Sequence, residues 1–166
     1  MPENNSYLKL KDYFKDLVEK SVHVKSFVGY FQRELMQKDG GDELESPYLA
    51  IYGYGNTLSG PEQNTISVRK ISFAVMYKGV PNDNIELQYQ AVDNAEEIVK
   101  KFLSRIRMDS YNPEHFLYKA FIKEGTEISP VELSITSFGS EVSLEFKNNQ
   151  SLKMNPEDWN DNPATC

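Results

Sequence analysis

"PYLAIYGYGNTLSGPEQNTISVRKISFAVMYKG", residues 47–79, reads as two strands joined by a polar, glycine-marked loop. In the first strand Leu49 and Ile51 point to one face, and Tyr48, Ala50, Tyr52 and Tyr54 to the other. In the second strand Ile71, Phe73, Val75 and Tyr77 share a face, with Ala74 and Met76 opposite. Arg69 and Lys70 mark the end nearest the loop as wet, and Gly53, Gly55, Gly60 and Pro61 punctuate a connection, residues 55–65, longer than a tight hairpin needs. Neither face of this ribbon is made for water. A large aromatic side chain buries roughly 150–250 Å², so three on one face exceed the roughly 400 Å² of apolar patch that a soluble surface tolerates. Helices can cover one face. The other needs a short helix, the tail or a second subunit.

The flanking segments supply the helices. Leu10, Tyr13, Phe14, Leu17 and Val18 form one apolar stripe between Ser6, a candidate N-cap, and a helix end near Lys20 or Ser21. Residues 24–31, "VKSFVGYF", read as a strand, with a helix continuing to Leu35 as the competitor; "DGGDELES", residues 39–46, is a loop by composition. From about Asn84 to Arg107, Tyr89, Val92, Ile98, Val99, Phe102, Leu103 and Ile106 lie on a helical stripe, ending near residues 108–110. The alternative is a strand at residues 85–91 followed by a helix capped at Asp93 and Glu96. "NPE" at residues 112–114 predicts a short helix burying Phe116, Leu117, Ala120 and Phe121. Val131, Leu133 and Ile135, then Val142, Leu144 and Phe146, alternate with polar residues and predict a hairpin turning at residues 137–140, with one dry and one wet face. The polar tail has one candidate anchor, Trp159.

These elements predict an α+β fold: a mostly antiparallel β-sheet packed against an N-terminal helix and a long central helix, in a single domain over residues 1–147 with a polar C-terminal tail at 148–166. The 166 residues, 39% hydrophobic, are enough for one real core. The apolar runs are too short for a membrane span, residues 1–5 lack the pattern of a signal peptide, and the single cysteine, Cys166, suits a reducing cytosol. A net charge of −7 argues against a protein that grips duplex nucleic acid, while an acidic wall lets DNA slide past.

Chemistry-bearing patterns are weak. His23 and His115 stand far apart with no nearby cysteine and read as surface or half-buried residues. "DGGDELE" and "NPEDWNDNP" lack the alternation of a calcium loop, Gly53 and Gly55 lack the following helix of a phosphate cradle, and no nucleophile elbow appears. The expectation is no enzyme, no cofactor and no metal. The remaining signal is tyrosine around the central ribbon, a residue suited both to a core rim and to a subunit interface. The candidate interface set is Tyr48, Tyr52, Tyr54, Leu58, Arg69, Phe73 and Tyr77.

The order of elements resembles the phage tail-terminator and head–tail joining (neck) proteins, the minor tail protein U-like group. The resemblance runs over residues 6–147: an amphipathic helix before "VKSFVGYFQRE", the proline-led strand "PYLAIYGYG", the long strand "ISVRKISFAVMYKG", the helix "AEEIVKKFLSRI", and the closing strands "VELSITSF" and "EVSLEF". It implies a structural virion protein made in a bacterial host cytoplasm. Such a protein forms a homo-oligomeric ring, a hexamer or a multiple of one, at the neck or tail end, joins head to tail, and terminates or completes the tail. Its implied partners are further copies of itself and other neck or tail proteins, with DNA passing through the lumen without specific binding and no membrane contact. Residues 111–127 and the Trp159 tail are longer than in simple members; the resemblance implies either docking elements for another virion protein or a neck ring of a short-tailed phage in place of a true terminator. The competing reading is a cytosolic small-molecule-binding or enzymatic domain with the tyrosines and Arg69 lining a pocket. A weaker third is an adaptor that binds through a sheet edge.

Overall fold

A computed structural model describes residues 6–29, 31–39, 41 and 43–161. Tyr30, Gly40, Asp42 and Cys166, each part of a segment read above, lie outside the described residues, as do residues 1–5. The element order is α1 (Tyr7–Lys20), β1 (Ser26–Val28), α2 (Gln32–Asp39), β2 (Tyr48–Ser59), β3 (Ile66–Lys78), α3 (Ile85–Tyr111), β4 (Phe121–Ser134) and β5 (Ser137–Asn149), then a short 3-10 turn (Pro156–Asp158). The strands form one sheet in the order β1-β2-β3-β5-β4, antiparallel except for the β1–β2 pair. The fold class is α+β, as expected.

Local chemistry sets the helix ends. The Ser6 side chain accepts from the Lys9 N–H at 3.2 Å and starts α1, whose buried stripe is Leu10, Tyr13, Phe14, Leu17 and Val18. The Asn84 side chain accepts from the Leu87 N–H at 3.1 Å, so α3 is one continuous helix from Ile85 and the strand alternative for its first turns falls away. Ala91, Ala95, Ile98, Val99, Phe102 and Ile106 form its buried stripe. The first turns overhang the core, which leaves Tyr89, expected on the stripe, 66% exposed.

α1 and α3 cover one face of the sheet. Leu49, Ile51, Ile71, Phe73, Val75, Val142, Leu144 and Phe146 project from that face into a single core with the helix stripes. The second face carries a smaller core of Tyr48, Ala50, Ala74 and Met76, and the chain covers it itself with Val28, Leu35 and Leu44. The expected strand over residues 24–31 is cut to Ser26–Val28. The chain then turns into α2, whose Leu35 is only 5% exposed over this patch. Neither reading holds at Gly29 and Phe31: the helix begins only at Gln32 and runs past Leu35 to Asp39, while Phe31, expected on its stripe, is exposed.

Four other expectations change. Tyr54 lies on the helix face, packed against the main core, because the β2–β3 register shifts between Ile51 and Gly53 and flips the alternation. Residues 55–59 and 66–70 are paired strand, so the connection shrinks to residues 60–65. The closing hairpin turns at Ile135 and Thr136, with Ser134 opposite Ser137. That register puts Val131 and Leu133 on the second face while Val142, Leu144 and Phe146 face the helices, so both faces are partly dry. Residues 112–120 are a run of turns. Leu117 and Ala120 are buried as expected, but Phe121 already belongs to β4, and its N–H donates to Ser110 Oγ at 3.2 Å.

Gly139, expected in a turn, sits mid-strand opposite Met76. A Cβ there would fall 1.9 Å from the Val75 carbonyl oxygen and 2.9 Å from Met76 Sδ, so only glycine permits this approach of β5 to β3.

Candidate functional site

The expected interface residues divide by burial. Tyr48 and Phe73 are fully buried in the chain's own two cores, where their side chains cannot meet a second subunit, and both leave the candidate set. The ring of Phe73 stacks at 5.1 Å from Phe14 and 6.3 Å from Phe102. Tyr77 is half-buried against the main core, and burial pushes its hydroxyl pKa up. Tyr52 is half-buried on the second face and donates to Glu141, which also accepts from Ser129 Oγ at 3.2 Å. Burial, then that hydrogen bond, raises the Tyr52 pKa.

Tyr54 and Arg69 come together on the helix side. Arg69 donates from Nη1 to the Tyr54 hydroxyl and lies 6.0 Å from that ring's centroid, and Tyr7 of α1 meets the same ring edge-on at 4.9 Å. These groups fill the sheet margin, and none of them lines the groove between α1 and α3. Leu58 lies further out and is 46% exposed. The expected set is therefore not one patch: it is split between two faces of the sheet and its outer end.

What does stand open is the edge of β2. β1 pairs only with Tyr48, Leu49 and Ala50, so beyond Ala50 no strand among the described residues borders the outer edge of β2. Residues 54–59, "YGNTLS", carry no charge and no proline, the usual means of keeping such an edge from pairing. β4, on the opposite edge, carries them: Lys123, Glu124, Glu127, Pro130 and Glu132, with a register break between Ile122 and Glu127. Past Tyr54, β2 and β3 run on as an arm, with β5 paired along β3, in which residues 55–64 are exposed.

A polar cluster around the buried carboxylate of Asp109 joins α1 to the end of α3. The Tyr13 hydroxyl donates to Asp109 Oδ2 at 2.8 Å, and Arg105 Nε donates to Oδ1 at 3.0 Å and Oδ2 at 3.1 Å. His115 Nε2 lies 4.0 Å from Asp109 Oδ2, and its ring meets Tyr13 edge-on at 5.4 Å. Burial, then the hydrogen bond to Asp109, drives the Tyr13 pKa up. Burial lowers that of His115 against the opposing pull of Asp109. The sequence reading missed this cluster because its members stand 96 residues apart; the one signal was a carboxylate on the buried stripe of a helix, Asp109 four residues after Arg105.

A groove opens between the C-terminal end of α1 and the middle of α3, about 210 Å³ in volume, with Leu17 and Phe102 on its floor and Lys20, His23, Lys101 and Arg105 around it. No group of three or more metal-ligating side chains occurs among the described residues, and no described helix is long and apolar enough to cross a membrane. No protein-family model and no curated protein matches this chain.

Proposed function

We propose that this chain is a structural subunit of a phage particle. It assembles into a homo-oligomeric ring at the neck or tail end, where it joins head and tail and terminates or completes the tail, with DNA passing through an acidic lumen. The observation that carries the reading is the uncharged outer edge of β2 over residues 54–59, which no strand among the described residues borders and whose residues 55–59 are exposed. An edge of this kind is a template for another chain. A ring needs two different patches on each subunit, repeated around an axis, and the unprotected edge of β2 supplies one of them. The order of elements over residues 6–147 and the charge of −7 agree with the same reading.

The competing reading, a small-molecule-binding or enzymatic domain, draws on the α1–α3 groove. At about 210 Å³ it falls below the roughly 300–1,000 Å³ of small-molecule sites and suits a single side chain better than a metabolite.

Native mass spectrometry and negative-stain microscopy of the purified chain, together with peptide mapping of purified particles, test the proposal. Rings are expected, and Thr57→Lys with Leu58→Lys, both on the exposed edge, should return them to monomers with the fold intact. A chain that stays monomeric when concentrated and is missing from the particles overturns it.

A further inference from the structure

We propose that the groove between α1 and α3 receives the C-terminal tail of a neighbouring copy, with Trp159 as the inserted side chain. The proposal rests on the ring reading and names the second contact patch that a ring requires.

The groove is a local exception on an acidic chain. Its floor is apolar, with Leu17 and Phe102, and its rim includes Val22, 91% exposed. Lys20, His23, Lys101 and Arg105 surround it and no carboxylate lines it. Lys20 is held by Asp16 at 2.6 Å and Arg105 by Asp109, whereas Lys101 makes no ion pair among the described residues. The net charge of the whole chain is −7, so a basic concavity is not what the average composition supplies.

The tail has the opposite character. After β5 it runs exposed into the turn Pro156–Asp158, closed by the Asn155 side chain, which accepts from the Glu157 N–H at 3.3 Å. Trp159, expected to anchor the tail to its own domain, is 58% exposed. It is the single tryptophan of the chain, and Glu157, Asp158 and Asp161 surround it. A large amphipathic side chain entering a small apolar pocket within a ring of opposite charges is the usual anatomy of an interface hot spot.

The groove and the point where the tail leaves the sheet lie at different levels along the strands. The tail leaves beside the arm, where the Gln150 N–H donates to the Thr65 carbonyl at 2.9 Å. The groove sits at the far end of α1, whose first residue stacks on Tyr54 near the arm. Phe102 in the groove stacks over Phe73, while the tail departs level with Ile66, roughly 23 Å away along the strand. Two complementary patches at separate places make a heterologous contact that propagates from copy to copy and closes into a ring.

The test has two arms, and neither needs a truncated protein. First, the emission of Trp159 in the full chain reports its burial directly. It should shift to the blue as the protein is concentrated through assembly. Lys101→Glu should raise the concentration of half-shift at least about tenfold, and combining it with Asp158→Lys should restore it. Second, a labelled peptide of residues 152–161, "LKMNPEDWND", should bind the full chain carrying Trp159→Ala and fail to bind when Lys101→Glu or Val22→Asp is added. No peptide binding, or a blue shift present at every dilution because the tail folds onto its own groove, overturns the inference. Rings that form while Trp159 stays in water overturn it and leave the ring reading intact. Peptide binding by a chain that never forms rings supports the tail contact and removes the ring reading.

Discussion

The hydroxyl of Tyr48 donates to Asp39 Oδ1 at 2.8 Å and thereby ties the end of α2 to the second face of the sheet. Ser137 Oγ donates to the same carboxylate at 2.9 and 3.1 Å, so one side chain fastens α2 to β2 and β5 together. Burial, then the bond to Asp39, pushes the Tyr48 pKa up. This link accounts for much of why the ribbon's second face needs no partner near Tyr48. Tyr48→Phe should cost about 1–2 kcal/mol in urea unfolding, because Asp39 keeps its serine partners. Asp39→Ala strands both the Tyr48 and Ser137 hydroxyls and should cost about 3 kcal/mol. Equal losses in the two variants would contradict this apportioning.

Leu35 is the apolar counterpart of that link. It is 5% exposed over Ala74, Met76 and Tyr48. Leu35→Ala should destabilise by about 2–5 kcal/mol and uncover the patch, so binding of a hydrophobic dye should rise before global unfolding. A change under about 0.5 kcal/mol, typical of surface sites, would mean that α2 is not the cover.

Gly139→Ala should be among the most damaging single-methyl additions. The added Cβ meets the Val75 carbonyl oxygen at 1.9 Å, and backbone cannot swing aside as a side chain can. A loss of about 3 kcal/mol or more is expected from thermal unfolding. Gly55→Ala is the control, since a Cβ there meets nothing within 4 Å.

His115 should give the chain an acid-sensitive component of stability. Burial holds its imidazole neutral in the folded state, with its pKa below the ordinary value. The unfolded chain takes up the proton at about pH 6.5, before the folded one does. The stabilisation is therefore complete above that pH and is lost as pH falls through the lower, folded pKa. Urea midpoints measured between about pH 8 and pH 5 should fall less steeply for His115→Gln than for the parent chain. Parallel curves would show that the ring is not held neutral.

Much of the fold was legible in the sequence because much of it is periodic. The stripe of α1, the stripe of α3 from Ile98 onward and the alternation of β3 each matched. The misreadings fall where two layers compete for one segment. Residues 24–39 carry apolar side chains usable by a strand or a helix, and only the patch formed by Tyr48, Ala74 and Met76 decides the switch from β1 to α2. Tyr54 changed face through a register shift that leaves no trace in composition. Tyr48 and Phe73 left the candidate interface set for a related reason: alternation assigns a side chain to a face but does not say whether that face is already covered.

The sequence by itself determined the α+β class, the extents of α1 and β3, the second half of α3, and an acidic chain with one tryptophan in a polar tail. These follow from period, capping side chains and charge, which act over a few residues. Only the tertiary structure decided that α2 closes the second face, that Tyr13, Arg105 and His115 gather around the buried carboxylate of Asp109, that no strand among the described residues borders the edge of β2 beyond Ala50, and that a groove with a basic rim opens between α1 and α3. Each of these depends on which distant segments meet once the chain has collapsed, and that is settled by packing and desolvation rather than by any local pattern.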